Sequence, residues 1–481
     1  MFYKTTIVLI FIAGILLRLK AYFMNVPLWL DECSLALNIM HRNIFGYFAP
    51  LEHIQSAPPF FMMATKLVTM VFGLSEYTLR LIPLLVSVVS MFVFYIFSKK
   101  MLDKKWSIIT ANLLFAINFR LIYFAEEFKQ YASDILFFML ALFFLSKVKL
   151  GKVSFKKALF TGLVCFLMLL CSMPSMFVTG AYVVYNLKLL NKGTGGGRNL
   201  FGFLLPFFIF GPFYYIYNLY PTKQAMFSNF LDQWQSGFMN YNPLNIFPLL
   251  RENLDYLFNF TPFILFGVVL LVWGIILLSK SENKIVKLML LALLLSFVAS
   301  FCNIFPIKNR VSVYIIIPFL ICIIKPLDII SVKNKICSTL AIIFSLLFFS
   351  AYNLSYAKSL VFENFIKSKK DGRATMEILS KKFKPDEVLV YNDATNSIYD
   401  FYSEKSGMYA DKIIRINLPQ YSREFYLGLL NQLPKNHTYW FYYANDYVRM
   451  PVVPFIREWI QDKEVLEEHC INESYLLHVK L

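Results

Sequence analysis

Residues Leu81–Phe97 read LIPLLVSVVSMFVFYIF, and the chain leaves them through Ser98-Lys99-Lys100. The run holds no charge and ends on lysines. That is the pattern of a membrane span, which needs about 20 apolar residues, so a shorter core borrows its flanks. Working outward, similar runs recur at Thr5–Tyr22, Ile108–Phe124, Ile135–Leu145, Ala158–Cys171, Met176–Leu190, Leu200–Asn218, Thr261–Leu278, Leu288–Phe301, Val311–Ile324 and Ile336–Leu354. The sequence therefore predicts a polytopic α-helical membrane protein of about 11 spans. Composition agrees. Of the 481 residues, 58% are hydrophobic and 16% charged, more apolar surface than a soluble chain could hide. Lys4 before the first run imitates a signal peptide, but no small-x-small cleavage site follows. We read it as an uncleaved first helix.

The net charge is +17, and its distribution orients the bundle. With the N-terminus inside, the inner loops hold about 19 Lys/Arg against about 3 acids, the asymmetry the positive-inside rule requires. The outer loops hold about 11 against about 10. The basic balance is thus an insertion signal, and no nucleic-acid partner is implied. The expected location is the plasma (inner) membrane, with a cytoplasmic N-terminus and membrane lipids as partners. Most cysteines sit in or near apolar runs, where Cys acts as a small hydrophobe. Cys33 and Cys470 fall on the outer side, and the sequence leaves a disulfide between them open.

Residues 1–354 form the membrane domain, and 355–481 an extracytoplasmic α/β domain. In this tail, helices are predicted at Gly372–Phe383, Thr395–Ser403, Ser422–Gln432 and Pro454–Gln461. Strands are predicted at Glu387–Tyr391, Lys412–Ile416, Thr438–Tyr443, Glu464–Glu467 and Ser474–Val479. The first outer loop, 24–80, is long but patterned. Asp31–Met40 and Phe60–Phe72 read as helices lying at the membrane interface with one apolar face down. Gly193–Gly197 (GTGGG) is a linker without the lysine or the strand of a P-loop. No internal repeat of the transporter kind is visible.

The chemistry-bearing feature is Asp31-Glu32, two carboxylates opening the first loop helix. They either complement the helix dipole or include a general base at the membrane surface. Other polar groups gather at outer span ends. Arg80, Lys129 and Arg310 are cations that can reach headgroup depth or merely snorkel there. Glu126 and Glu127 end the third span. Asp134 lies inside the fourth, where ionisable groups are costly. In the outer loop Tyr220–Thr261, Asp232 and Trp234 could line an acceptor groove.

Four motifs fall in order: Trp29-Leu-Asp31-Glu32, Ser56-Ala-Pro58-Pro59-Phe60, Phe72-Gly73-Leu-Ser-Glu76-Tyr-Thr-Leu-Arg80-Leu-Ile-Pro83, and Tyr123-Phe-Ala-Glu126-Glu127-Phe-Lys129-Gln-Tyr131. Together they resemble the GT-C integral-membrane glycosyltransferases, in the branch of the protein O-mannosyltransferases and the lipid A aminoarabinose transferases. The likeness covers about the first 150 residues. It implies a sugar donor carried on a polyprenyl phosphate and an unidentified hydroxyl acceptor (lipid, glycan or protein). It implies Asp31 as base with Glu32 in support, and usually inversion at the anomeric carbon. Arg80, Lys129 and Arg310 would meet the leaving phosphate. Glu126, Glu127, Asp134 and Tyr131 would support the acceptor. Departures are visible: Lys129 stands where the family carries Arg, and Gln55-Ser56-Ala57 where some relatives carry Lys. A divalent metal, used by some relatives, would need His41 or His53 to converge with Asp31 or Glu32; we expect none. The rival readings are a lipid-linked sugar transporter, a glycan polymerase or ligase, and a non-catalytic binding relative.

Overall fold

A computed structural model describes residues 2–190, 195–225, 235–258, 264–330, 371–416, 423–444 and 452–481. The expected last span Ile336–Leu354, the first residues of the span Thr261–Leu278, part of the GTGGG linker, Asp232, Trp234 and the junction at Ser355 lie outside the described residues. The chain divides into two compact units. The first comprises Met1–Met24, Ile44–Pro50 and Ser56–Glu363, and the second Asn25–Asn43, Leu51–Gln55 and Asn364–Leu481.

The first unit is helical: α1 (Phe2–Phe23), α3 (Pro59–Phe72), α4 (Glu76–Met101), α5 (Lys105–Ile117), α6 (Phe119–Glu126), α7 (Tyr131–Lys147), α8 (Phe155–Cys171), α9 (Ser175–Asn186), α10 (Gly196–Tyr214), α11 (Ile246–Phe258), α12 (Ile264–Ser279), α13 (Lys284–Phe301) and α14 (Ile316–Ile324). Among the described residues, five helices are long and apolar enough to cross a bilayer, or six if the bent pair α5–α6 is one span. Others, such as α8 and α9, occupy predicted spans but are shorter. Gly73, at φ 79°, turns the chain out of α3, and Ser75 Oγ then accepts the Thr78 N–H at 3.1 Å to cap α4.

The third predicted span is not continuous. It breaks by 43° between α5 and α6, and the cause is local. Asn118 is extended, and its Oδ1 accepts the N–H groups of Arg120 (3.0 Å) and Leu121 (3.2 Å). Its Nδ2 donates to the Leu257 carbonyl at 2.8 Å. The Ala116 carbonyl next to the break accepts instead from Arg18 Nη1 at 2.9 Å.

The lysine-rich ends of the helices are clamped. Lys284 Nζ donates to the Leu145 (2.9 Å) and Val148 (2.6 Å) carbonyls at the end of α7. Asp328 accepts the N–H groups of Asp103 (3.0 Å) and Lys104 (3.1 Å) ahead of α5. Lys325 bridges Asp103 (2.8 Å) and Asp328 (3.0 Å).

The second unit joins α2 (Leu30–His41) to the C-terminal fold. That fold contains α15 (Gly372–Lys382), β1 (Val388–Asn392), α16 (Asn396–Ser406), β2 (Ile413–Ile416), α17 (Arg423–Asn431), β3 (Thr438–Tyr443), α18 (Val453–Trp459), β4 (Glu464–Ile471) and β5 (Ser474–Lys480). The sheet order is β2-β1-β3-β5-β4. β1 is parallel to β2 and β3, and β5 is antiparallel to β3 and β4. Alternation along the strands sorts the core. Val388, Val390, Phe441 and Leu477 pack with Tyr426, Leu430, Ile456 and Trp459 of α17 and α18. On the other face Tyr391 stacks on Tyr399 of α16 at 4.8 Å. Buried Glu387 ties β1 to β3 and β5, accepting from Trp440 Nε1 at 2.8 Å and lying 3.0 Å from His478 Nε2. Helix α2 packs on α16 and buries Glu32, Cys33, Ser34, Leu35, Ala36, Leu37, Asn38 and Ile39. The sequence lays this helix on the membrane, but its apolar side has a protein partner. Cys33 and Cys470 are free thiols, so the disulfide left open by the sequence does not form.

Candidate active site

In the second unit, α2 presents its acids differently. Glu32 is fully buried, and its Oε2 reaches back to the Trp29 N–H at 3.4 Å, a helix-start bond. Asp31, one position earlier, is partly exposed. Successive helix side chains point about 100° apart, which is why neighbours in sequence meet such different surroundings. His41 Nε2 lies 2.9 Å from Glu404 Oε2. His53 has φ 57° in a strained turn. Among the described residues, no group of three or more His, Cys, Asp or Glu side chains is arranged to hold a metal ion.

In the first unit, the predicted cations and acids gather at one end of the helices. Short loops join α4 to α5 and α6 to α7, so the start of α4, the end of α6 and the start of α7 lie together. Arg80, Glu126, Glu127, Lys129, Tyr131 and Asp134 are all buried there. Arg80 and Lys129 are therefore inside the protein, not snorkelling on its lipid surface. The Pro-Pro and Glu-Glu motifs meet. Gln130 Nε2 donates to the Ser56 carbonyl at 3.3 Å, and Phe61 stacks on Phe128 at 5.8 Å. Asp134 Oδ1 accepts from Ser172 Oγ at 2.8 Å. The ring of Tyr131 packs on Phe124 at 4.9 Å within the core. Arg310 is partly buried in the turn Asn309–Ile315. Tyr256 on α11 feels Glu127, Arg310 and Arg120 together. Burial pushes its phenol up to about 12, Arg120 and Arg310 oppose the rise, and Glu127 adds to it.

Two cations escaped the sequence reading. Arg120 stacks its guanidinium on Tyr256 at 3.7 Å and donates from Nε to the Tyr256 carbonyl at 2.9 Å. Arg18 is fully buried in α1, bonded to Ser87 Oγ (2.8 Å) and the Gly14 (3.0 Å) and Ala116 carbonyls. The available signal was a cation inside an apolar run, which is costly unless it has a use.

Residues 56–210 match the dolichyl-phosphate-mannose-protein mannosyltransferase family. The matched stretch contains the Pro-Pro motif, Arg80, Glu126–Lys129 and Asp134, and begins after Asp31. The fold is similar to that of ArnT from Cupriavidus metallidurans bound to undecaprenyl phosphate, with a TM-score of 0.56 and 12% identity over 98% of this chain and 97% of that one. The apo ArnT structure gives 0.53 and 11% over 99% and 98%. The Archaeoglobus fulgidus oligosaccharyltransferase in complex with Zn and sulfate gives 0.51 and 14% over 86% of this chain, which spans 62% of that protein. No curated protein matches the chain in sequence. The class is thus that of the GT-C fold, and the chain is a multi-pass membrane protein. Within that class it is a glycosyltransferase, related through residues 56–210 to the dolichyl-phosphate-mannose-protein mannosyltransferases.

Proposed function

We propose that the protein transfers a sugar from a polyprenyl-phosphate donor to a hydroxyl acceptor at the outer face of the cytoplasmic membrane. The acceptor O–H gives its proton to the Asp31 carboxylate. Its oxygen bonds to the anomeric carbon from the face opposite the phosphate. The bond to the phosphate oxygen breaks, and polyprenyl phosphate leaves with that electron pair, so configuration inverts. Arg80, Lys129 and Arg310 stabilise the developing phosphate charge. Glu126, Glu127, Asp134 and Tyr131 support the acceptor side. Lys129 meets phosphate as a point charge, without the bidentate fork of an arginine.

The observation that carries this reading is the division of labour on α2: Glu32 is committed to the helix start, while Asp31 is partly exposed. The undecaprenyl phosphate in the similar ArnT structure supports the donor class. The test is turnover by purified protein in nanodiscs. A polyprenyl-phosphate sugar should yield free polyprenyl phosphate and glycosylated acceptor in equal amounts, and a nucleotide sugar neither. Movement of the lipid-linked sugar across the bilayer without cleavage would favour a transporter.

Orientation has its own test. Single cysteines at Asp393 and Gln55 should react with an impermeant thiol reagent added outside intact cells, and those at Lys100 and Lys157 should not, as the positive-inside rule requires. Labelling at Lys157 but not at Asp393 would reverse the topology.

A further inference from the structure

Helix α2 could have lain free on the surface of its unit. Instead, side chains of the C-terminal fold grip the chain on both sides of it. Ahead of the helix, Arg373 Nη2 donates to the Asn25 carbonyl at 3.1 Å, and the Leu28 N–H donates to the Tyr402 hydroxyl at 2.9 Å. At its end, His41 Nε2 and Glu404 Oε2 lie 2.9 Å apart. Tyr402 is buried, so its hydroxyl bond is shielded from water.

The grip comes from a stiff frame. Arg373 opens α15 and Tyr402 and Glu404 lie on α16, two helices packed so closely that a Cβ on Gly372 would come within 2.5 Å of Ile398 Cγ2 and 3.0 Å of Ala444 Cβ. The Tyr442 hydroxyl donates to the Gly372 carbonyl at 2.8 Å, and Thr375 Oγ1 lies 2.8 Å from Ser474 Oγ. Strands β3 and β5 thus fix α15, and the Tyr391–Tyr399 stack fixes α16. The position of α2 is passed on from the sheet through rigid elements, not through a loop.

We propose that Arg373, Tyr402 and Glu404 are positioning residues that hold the Asp31 carboxylate in its working place. The C-terminal fold then acts as the clamp of the catalytic helix, in addition to anything it binds. The inference rests on Asp31 being the base. A base misplaced by about 1 Å can cost up to about 100-fold in rate, while the binding of a donor that the clamp does not touch is left alone.

The test is steady-state kinetics of the full-length protein in nanodiscs with a polyprenyl-phosphate sugar as donor. Tyr402→Phe removes one hydroxyl and should lower kcat about 10-fold. KM for the donor should stay unchanged, while the Tm falls only by what the loss of one buried hydrogen bond to the Leu28 N–H costs. His41→Glu and Glu404→His should each lower kcat about 3-fold, and the double exchange, which restores an acid–imidazole pair, should recover it. Wild-type kcat in Tyr402→Phe, or a double exchange no better than either single variant, overturns the clamp. If Asp31→Asn is dead in the same assay, the base assignment survives that result. If Asp31→Asn turns over normally, the base assignment fails and takes the clamp with it.

Discussion

Two helices of one loop, α2 and α3, have opposite fates. Both are short, both are amphipathic, and residues 42–58 separate them. Leu35 in α2 is 0% exposed, under the C-terminal fold. In α3 the apolar residues Leu67, Met70, Val71 and Phe72 stay open, with Val71 73% exposed. An apolar face this open is consistent with the interfacial placement expected of this helix from the sequence. Periodicity reveals that a helix has an apolar side; it does not reveal what covers it. The covered helix carries the proposed base, and the open one leads through Gly73 and Ser75 into α4 and Arg80. The proposed base and the cations of the proposed chemistry therefore belong to separate compact units.

The comparison breaks most visibly in stability. Leu35→Ala should cost about 2–5 kcal/mol by opening a cavity, while Val71→Ala should leave thermal unfolding in detergent unchanged. Equal effects would mean that α2 is not packed as described. The next effect is on chemistry. Arg80→Ala should reduce kcat/KM for the donor about 10–100-fold, the range for a lost charge-assisted bond, and Arg80→Lys should reduce it less. Full activity in Arg80→Ala would leave Arg80 as a packing residue of α4.

The smallest effect concerns Asp400, on the α16 helix that carries α2. Burial raises its carboxyl above the ordinary range, Arg415, His53 and His41 oppose the rise, and Glu404 adds to it. At a pH below the ordinary value of about 4, the group is protonated whether folded or unfolded and contributes nothing. As pH climbs from there through the raised value, the folded state loses a proton it prefers to keep, and stability falls. Asp400→Asn should therefore raise Tm slightly at neutral pH, with the gain vanishing near pH 4. A gain that grows on acidification would contradict the assignment.

Much of this was legible. The tail's strands and helices follow from alternation and turn residues, and Thr438–Tyr443 has the predicted bounds. The spans α1, α4, α7 and α13 follow from apolar length. The break at Asn118 was not legible, because no Pro or Gly marks it. It depends on a side chain that caps α6 and on Arg18, nearly a hundred residues away, taking up the Ala116 carbonyl. The gathering of Arg80, Glu126–Lys129 and Asp134 was foreshadowed by their positions at span ends. The burial of Arg80 and Lys129 was not, since a cation at a span end reads equally well as an interface anchor. Nor could pattern alone separate Asp31 from Glu32. Their difference lies in the Trp29 N–H that Glu32 turns back to meet.

That difference is also the most direct test. Sugar transfer from a polyprenyl-phosphate donor should be measured for Asp31→Asn and Glu32→Gln in parallel, in protein whose folding is checked by Tm. Asn keeps the size of Asp31 and removes the charge that takes the proton, so transfer should fall about 10²–10⁴-fold, as expected for loss of a general base. Glu32→Gln keeps an acceptor for the Trp29 N–H and should fall much less. Near wild-type turnover in Asp31→Asn with a dead Glu32→Gln would move the base to Glu32, and activity in both would remove the base from α2 altogether.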